Sequence, residues 1–146
     1  MNAKPKKPES FDFDKEGNTG FRHLINALLF SLKGLKAAFI HEAAFRQELA
    51  LGLFLIPSAF WIGDDAVEKA ILLLSLFFVL VAELLNSAVE AAIDRFGGEF
   101  HELSGRAKDL GSAAVMLSMI AVAIVWSLII FENCLRISAD ITALFS

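Results

Sequence analysis

Polar and apolar positions along this chain repeat almost everywhere with a helical period. From Phe21 the apolar residues Phe21, Leu24, Ile25, Leu28, Leu29, Leu32 and Leu35 recur at intervals of one, three and four. Arg22, His23, Asn26, Lys33 and Lys36 fall largely opposite. The pattern predicts an amphipathic helix suited to lie on a membrane surface, with Gly34 as a point of interruption, and a further polar-edged segment, His41 to Glu48, leads into the bilayer. Three charge-free runs follow: Leu49 to Gly63, Ala70 to Ala82, and Leu110 to Phe131. The last is long enough to cross a bilayer outright. The first is short and contains Pro57, so it must tilt, lean on partners or thin the bilayer. The expected organisation is a flexible polar tail at 1–20, one integral-membrane domain at 21–132 and a C-terminal tail at 133–146. Within that domain the surface helix covers about 21–47 and the spans about 48–63, 67–95 and 109–132.

Composition changes the picture in one respect, by fixing the solvent. With 56% hydrophobic residues, a mean hydropathy of +0.60 and 14 Phe in 146 residues, the chain has more apolar surface than one small soluble core could bury. The fold class is therefore an all-α membrane protein. Cys134 is the sole cysteine, which excludes an internal disulfide or a cysteine-based metal site. The net charge of −4 says less than its distribution, and no nucleic acid is expected as a partner. Because the first strong apolar run begins only at residue 49, no cleavable secretory signal is expected, and that run should remain as an anchor.

Eight of the thirteen Lys and Arg precede Leu49, and Arg95, Arg106 and Lys108 lie between the second and third runs. The link Asp64 to Lys69 has one Lys against three acids. By the excess of basic residues, the N-terminus and the second link face the cytoplasm.

The chemistry concentrates at the end of the second run. Glu83, Asn86, Glu90 and Asp94 are spaced by three, four and four residues, which stacks them within an arc of roughly 80° on one helical stripe. Glu83 follows a charge-free stretch, at a depth where a carboxylate is costly to keep. Glu83, Glu90 and Asp94, with Glu42 at the approach to the first span, cannot all ionise side by side in low dielectric without a cation. Carboxylates with Asn86 suit a hard divalent ion, and Mg²⁺ needs only one or two of them when it also binds nucleotide phosphates. The segments Glu99, Phe100, His101, Glu102 and Arg106, Ala107, Lys108, Asp109 supply cationic groups that can counter phosphate charge. Together these outline a phosphoryl-transfer site. Spacing alone fits equally well a stripe that glues helices together or lines an ion or proton path. No Walker-type or kinase-type glycine loop is present to decide it.

The ordered segments Ala82-Glu-Leu-Leu-Asn-Ser-Ala-Val-Glu90, Asp94, Glu99-Phe-His-Glu-Leu103 and Gly105-Arg-Ala-Lys-Asp-Leu-Gly-Ser-Ala-Ala-Val115 closely resemble the small prokaryotic diacylglycerol kinase family. Ser31-Leu-Lys-Gly-Leu35 and His41-Glu-Ala-Ala-Phe-Arg-Gln-Glu48 extend the resemblance over residues 20 to 131. It implies an inner-membrane, multi-pass lipid kinase with an N-terminal surface helix and three transmembrane helices. It further implies a homotrimeric bundle surrounded by membrane phospholipid, with active sites built between neighbouring chains. The reaction implied is transfer of the γ-phosphate of MgATP to the free hydroxyl of diacylglycerol, giving phosphatidic acid.

By position, the resemblance makes Glu83 the general base and Glu42 and Glu90 the Mg²⁺ ligands. Asn86 and Asp94 extend that shell, and Glu99, Phe100, His101, Lys108 and Asp109 fall where the nucleotide is held, as do His23 and Phe30 on the surface helix. Ser31, Ala44, Phe45, Arg46, Gln47, Glu48, Trp61 and Ser112, with Glu83, fall at the lipid substrate. His23 stands where the family often has Arg, Phe30 lacks a hydroxyl, and Leu28 replaces a smaller residue. Undecaprenol, phosphorylated by related members, is the alternative acceptor. An oligomeric cation-conducting bundle is the non-enzymatic alternative.

Overall fold

The computed structural model describes residues 20–95, 97 and 101–144. Four helices account for nearly all of them: α1 (Phe21–His41), α2 (Ala43–Ile62), α3 (Ala66–Asp94) and α4 (Glu102–Leu144). The expected sites Glu99 and Phe100 lie outside the described residues, as does the segment 1–19. The chain divides into two compact units, Met1–Lys36 and Ala37–Ser146. In the first, α1 carries Ser31, whose hydroxyl donates to Ala27 O at 3.0 Å, and Lys33, whose ammonium lies 5.8 Å from the centre of the Phe30 ring.

The second unit is a helical hairpin extended by a third helix. At the α1–α2 corner Glu42 is extended (φ −102°, ψ 115°), which separates two helices within the 21–47 range expected for the surface helix. Arg46 stabilises this corner, its guanidinium donating to the last carbonyls of α1, Phe39 O and Ile40 O, each at 3.0 Å. Between α2 and α3 the turn is short, and Asp65 caps α3 by accepting from the backbone N–H of Val67 and Glu68 at 2.8 Å. After α3 the chain passes through Gly97, whose φ of 96° is a left-handed conformation that a residue with a Cβ adopts only under strain.

Ala59 of α2, Leu72 of α3 and Trp126 of α4 form the buried centre, with Leu55, Ile62, Leu76, Val122 and Ile129 packed around it. Helices α3 and α4 run antiparallel in constant register: Asp94 meets Lys108, Ser75 meets Trp126, and Glu68 meets Asn133. On α4 the face so engaged follows Lys108, Gly111, Val115, Ser118, Val122, Trp126, Ile129, Asn133 and Arg136, spaced by three and four. Large apolar side chains on the other faces of these helices, Leu53, Phe54, Phe77, Phe78, Leu117 and Leu128 among them, are exposed. In water such a surface would aggregate; against acyl chains it is at equilibrium.

Among the described residues three helices are long and apolar enough to cross a membrane, namely α1, α3 and α4. Their number agrees with the sequence pattern, but the set does not. In the sequence pattern the run at 48–63 crosses, whereas α2 opens with Arg46, Gln47 and Glu48 and so lacks an equally apolar window. The last helix also differs. It starts seven residues before the expected span at 109 and continues through Leu144, so residues 133–144 of the expected tail are helix. At 43 residues α4 is about 65 Å long by the rise of 1.5 Å per residue, roughly twice the hydrocarbon thickness.

Candidate functional site

The polar stripe of α3 forms as its spacing requires. Glu83 is buried, with 5% of its surface exposed, and Glu90 is half-buried seven residues on. Asn86 joins them in series, its Nδ2 donating to Glu90 Oε1 at 3.0 Å. One further turn on, the exposed Asp94 accepts from Lys108 Nζ of α4 at 2.6 Å, and this ion pair closes the end of the stripe nearest the α3–α4 link. Charge-assisted bonds of that length fix both side chains even where solvent reaches them.

Glu42 and Glu48 of the α1–α2 region come to the same end. The charges of Glu42 and Glu90 act on Glu83, and the charge of Glu83 acts on Glu48. Three carboxylates are thus near enough to repel that of Glu83, and no basic side chain among the described residues forms an ion pair with any of the four. Three buried polar atoms here lack a partner: Glu48 Oε2, Asn86 Oδ1 and Ser87 Oγ. Buried polar atoms are nearly always bonded, so each of these three is an exception, Asn86 Oδ1 being the one that lies against the α4 backbone at Gly111. A hard cation with its waters matches this all-oxygen donor set. The described residues of this single chain do not themselves make a cage of three or more acidic, His or Cys ligands. That arrangement fits magnesium held by one or two carboxylates and by phosphate oxygens. From Glu48 an apolar groove of about 330 Å³ extends between α2, α3 and α4, lined by Leu49, Leu53, Leu76, Leu80 and Met119.

The remaining expected site residues are dispersed. His101 is exposed, and its Nδ1 accepts from the backbone N–H of Leu103 at 3.2 Å, so it caps the start of α4. Asp109 and Ser112 are exposed on α4, and Ala44 and Gln47 are exposed on α2. Phe45 is buried and serves packing, while Arg46 is engaged by the α1 carbonyls. Trp61 is 88% exposed at the other end of α2, about 20 Å along the helix from Glu48 at 1.5 Å per residue. His23, Phe30 and Ser31 are exposed on α1 in the first unit. Sequence reasoning missed the part played by Gly111, which lies against Asn86, and the orphaned hydroxyl of Ser87. The three-and-four spacing from Lys108 through Gly111 to Ser118 was the available signal for the first.

The family model for prokaryotic diacylglycerol kinase matches residues 29–130, which take in α2 and α3 whole and α1 and α4 in part. The chain belongs to the prokaryotic diacylglycerol kinase family. Among the relatives of this kinase family, the diacylglycerol kinase of Escherichia coli (strain K12) is 48% identical over 115 residues, covering 79% of this chain and 94% of its own. That of Haemophilus influenzae is 51% identical over 113 residues, covering 77% and 96%. The Helicobacter pylori (strain 26695) diacylglycerol kinase is 44% identical over 107 residues, covering 73% and 84%. The family match ends at residue 130, so the last turns of α4, including Arg136, lie beyond it.

Proposed function

We propose that the chain is a diacylglycerol kinase, a phosphotransferase that moves the γ-phosphate of ATP to the free hydroxyl of diacylglycerol. The observation that carries this reading at the level of the site is the cluster of Glu42, Glu48, Glu83 and Glu90, with orphaned oxygens beside it, on a chain of this family. Glu83 accepts the proton of the lipid hydroxyl as its oxygen attacks the γ-phosphorus; the new P–O bond forms as the bond to the β-phosphate oxygen breaks and ADP departs. Glu90 and Glu42 hold the magnesium, and Asn86 orients Glu90. Magnesium, when bound, neutralises phosphate charge. Lys108, with Asp94 fixing its ammonium, faces the nucleotide phosphates, and Glu48 receives the glycerol head of the lipid, whose acyl part follows the apolar groove.

The same reading sets the membrane arrangement. Helix α2 packs along α3 through Ala59, Leu55 and Ile62 against Leu72 and Leu76, so the two share one depth and cross together. Arg46, Gln47 and Glu48 are the polar mouth of that span, which is why its composition falls short. Helix α1, with its basic face, then lies on the inner surface of the membrane, and the basic link between α3 and α4 is cytoplasmic. Three chains assemble around acids that one chain leaves unpartnered, and water-soluble ATP meets an oily alcohol at the inner interface.

The test is transfer of label from [γ-³²P]ATP to diacylglycerol in mixed micelles, with undecaprenol as a second acceptor. Native protein is expected to form labelled phosphatidic acid, and Glu83→Gln to lose at least about 100-fold in rate while unfolding at or above the native temperature. Equal product from both proteins removes Glu83 as the base. Exclusive labelling of undecaprenol changes the substrate.

A further inference from the structure

We propose that Gly111 of α4 is a positioning residue for the carboxylate of Glu90, acting through Asn86. The inference rests on the proposed role of Glu90 in holding magnesium. Asn86 is tied at one end and confined at the other: its Nδ2 donates to Glu90 Oε1 at 3.0 Å, and its Oδ1 is buried and unbonded. The confining surface is the backbone of α4 at Gly111. A Cβ at that position would fall on Asn86 Oδ1, 3.2 Å from Asn86 Cγ and 3.6 Å from its Cα.

The clash has no flexible way out. The obstacle is a short amide rather than the end of a long side chain, and its Cα is itself in contact. Two residues of the same α4 face, Val115 and Ser118, keep the helices close. Ser118 is 0% exposed, its hydroxyl folded back on Val115 O at 2.6 Å. A methyl at Gly111 therefore turns the amide away and breaks its bond to Glu90, or it forces α4 off α3 beside the stripe. Glycine within a helix is ordinarily unfavourable. Gly105, six residues earlier in α4, faces open space, so a Cβ there meets nothing. The two glycines thus share a helix and differ only in what a methyl would strike.

A carboxylate that holds a metal is aimed by the hydrogen bond on its other oxygen, and loss of such an outer partner typically weakens metal binding by about 10- to 100-fold. Gly111→Ala is expected to raise the free Mg²⁺ needed for half-maximal lipid phosphorylation by about tenfold. The KM for diacylglycerol should be unchanged.

The experiment compares native protein, Gly111→Ala, Asn86→Ala, the double variant and Gly105→Ala, all as full chains in detergent. Without metal or nucleotide, Gly111→Ala should lower the thermal unfolding midpoint, and the double variant should return to the midpoint of Asn86→Ala because the struck group is gone. With substrates, Gly111→Ala and Asn86→Ala should each raise the Mg²⁺ requirement, the double variant no further, and Gly105→Ala not at all. Additive losses in both readouts overturn the proposal, as does Gly111→Ala with native Mg²⁺ dependence. If Gly111→Ala fails to fold, a folded double variant supports the clash with Asn86, and an unfolded one overturns it. Native protein without Mg²⁺-dependent lipid phosphorylation defeats the proposed function instead, and the coupling of the two unfolding midpoints still decides whether Gly111 positions Asn86.

Discussion

The two ends of the α2–α3–α4 bundle are both acidic, yet they are built on opposite terms. At the end near the α2–α3 turn, Arg136 of α4 bonds Asp64 and Glu68 at 2.9 Å and Asn133 Oδ1 at 3.0 Å. Asn133 in turn donates to Ile62 O at 2.8 Å. Every one of those side chains has a partner. At the other end three carboxylates gather around Glu83, Lys108 pairs with Asp94 alone, and three buried polar atoms are left unbonded. A satisfied polar cluster locks helices together. An unsatisfied one reserves free energy for a ligand, and stability there is given up for function. One face of α4 supplies both cations, with Lys108 near its start and Arg136 near its end.

The sharpest way to break the comparison is to strip divalent cations with EDTA. Lipid phosphorylation is expected to fall by at least about 100-fold, because the acidic end then has nothing to hold phosphates against. The unfolding midpoint should move little, since the Arg136 cluster uses no ion; a collapse of the fold would mean that the cation is structural. Next in size, Lys108→Met should raise the KM for ATP by about tenfold, roughly the 1.4 kcal/mol of one charge-assisted contact, with the KM for diacylglycerol unchanged. An unaltered KM for ATP would confine Lys108 to its pair with Asp94.

The opposite end should show the opposite behaviour. Arg136→Ala is expected to lower the unfolding midpoint only modestly, because its pairs are partly exposed and screened. Its kcat should stay native, and denaturation in detergent checks the first while the micelle assay checks the second. The smallest effect is that of Glu48→Gln. Removing one of the mutually repelling charges should raise stability by a few tenths of a kcal/mol, up to about 0.5, while activity falls. A variant less stable than native would show that Glu48 is bonded in the folded protein and that the two ends are alike.

Much of this was legible along the chain. The intervals between Glu83, Asn86, Glu90 and Asp94 set a common stripe because helix geometry is local, and the solvent followed from composition. Other features were not legible. The break at Glu42 depends on Arg46 reaching back seven residues to Phe39 O, in a segment whose apolar pattern runs on unchanged. The length of α4 past 132 was masked because Glu132, Asn133 and Arg136 read as the polar end of a span. Their partners are some 65 to 72 residues away.

By itself the sequence determined the helical class, the membrane as solvent, the acidic stripe and the family, all of which rest on periodicity, composition and ordered motifs. Only the tertiary structure decided which acids are satisfied and which are orphaned, that His101 and Arg46 cap helices, and that Gly111 meets Asn86. The Arg136 cluster and the approach of Gly111 to Asn86 join residues distant in the chain, and helical spacing fixes the face on which a side chain lies but not what it finds there.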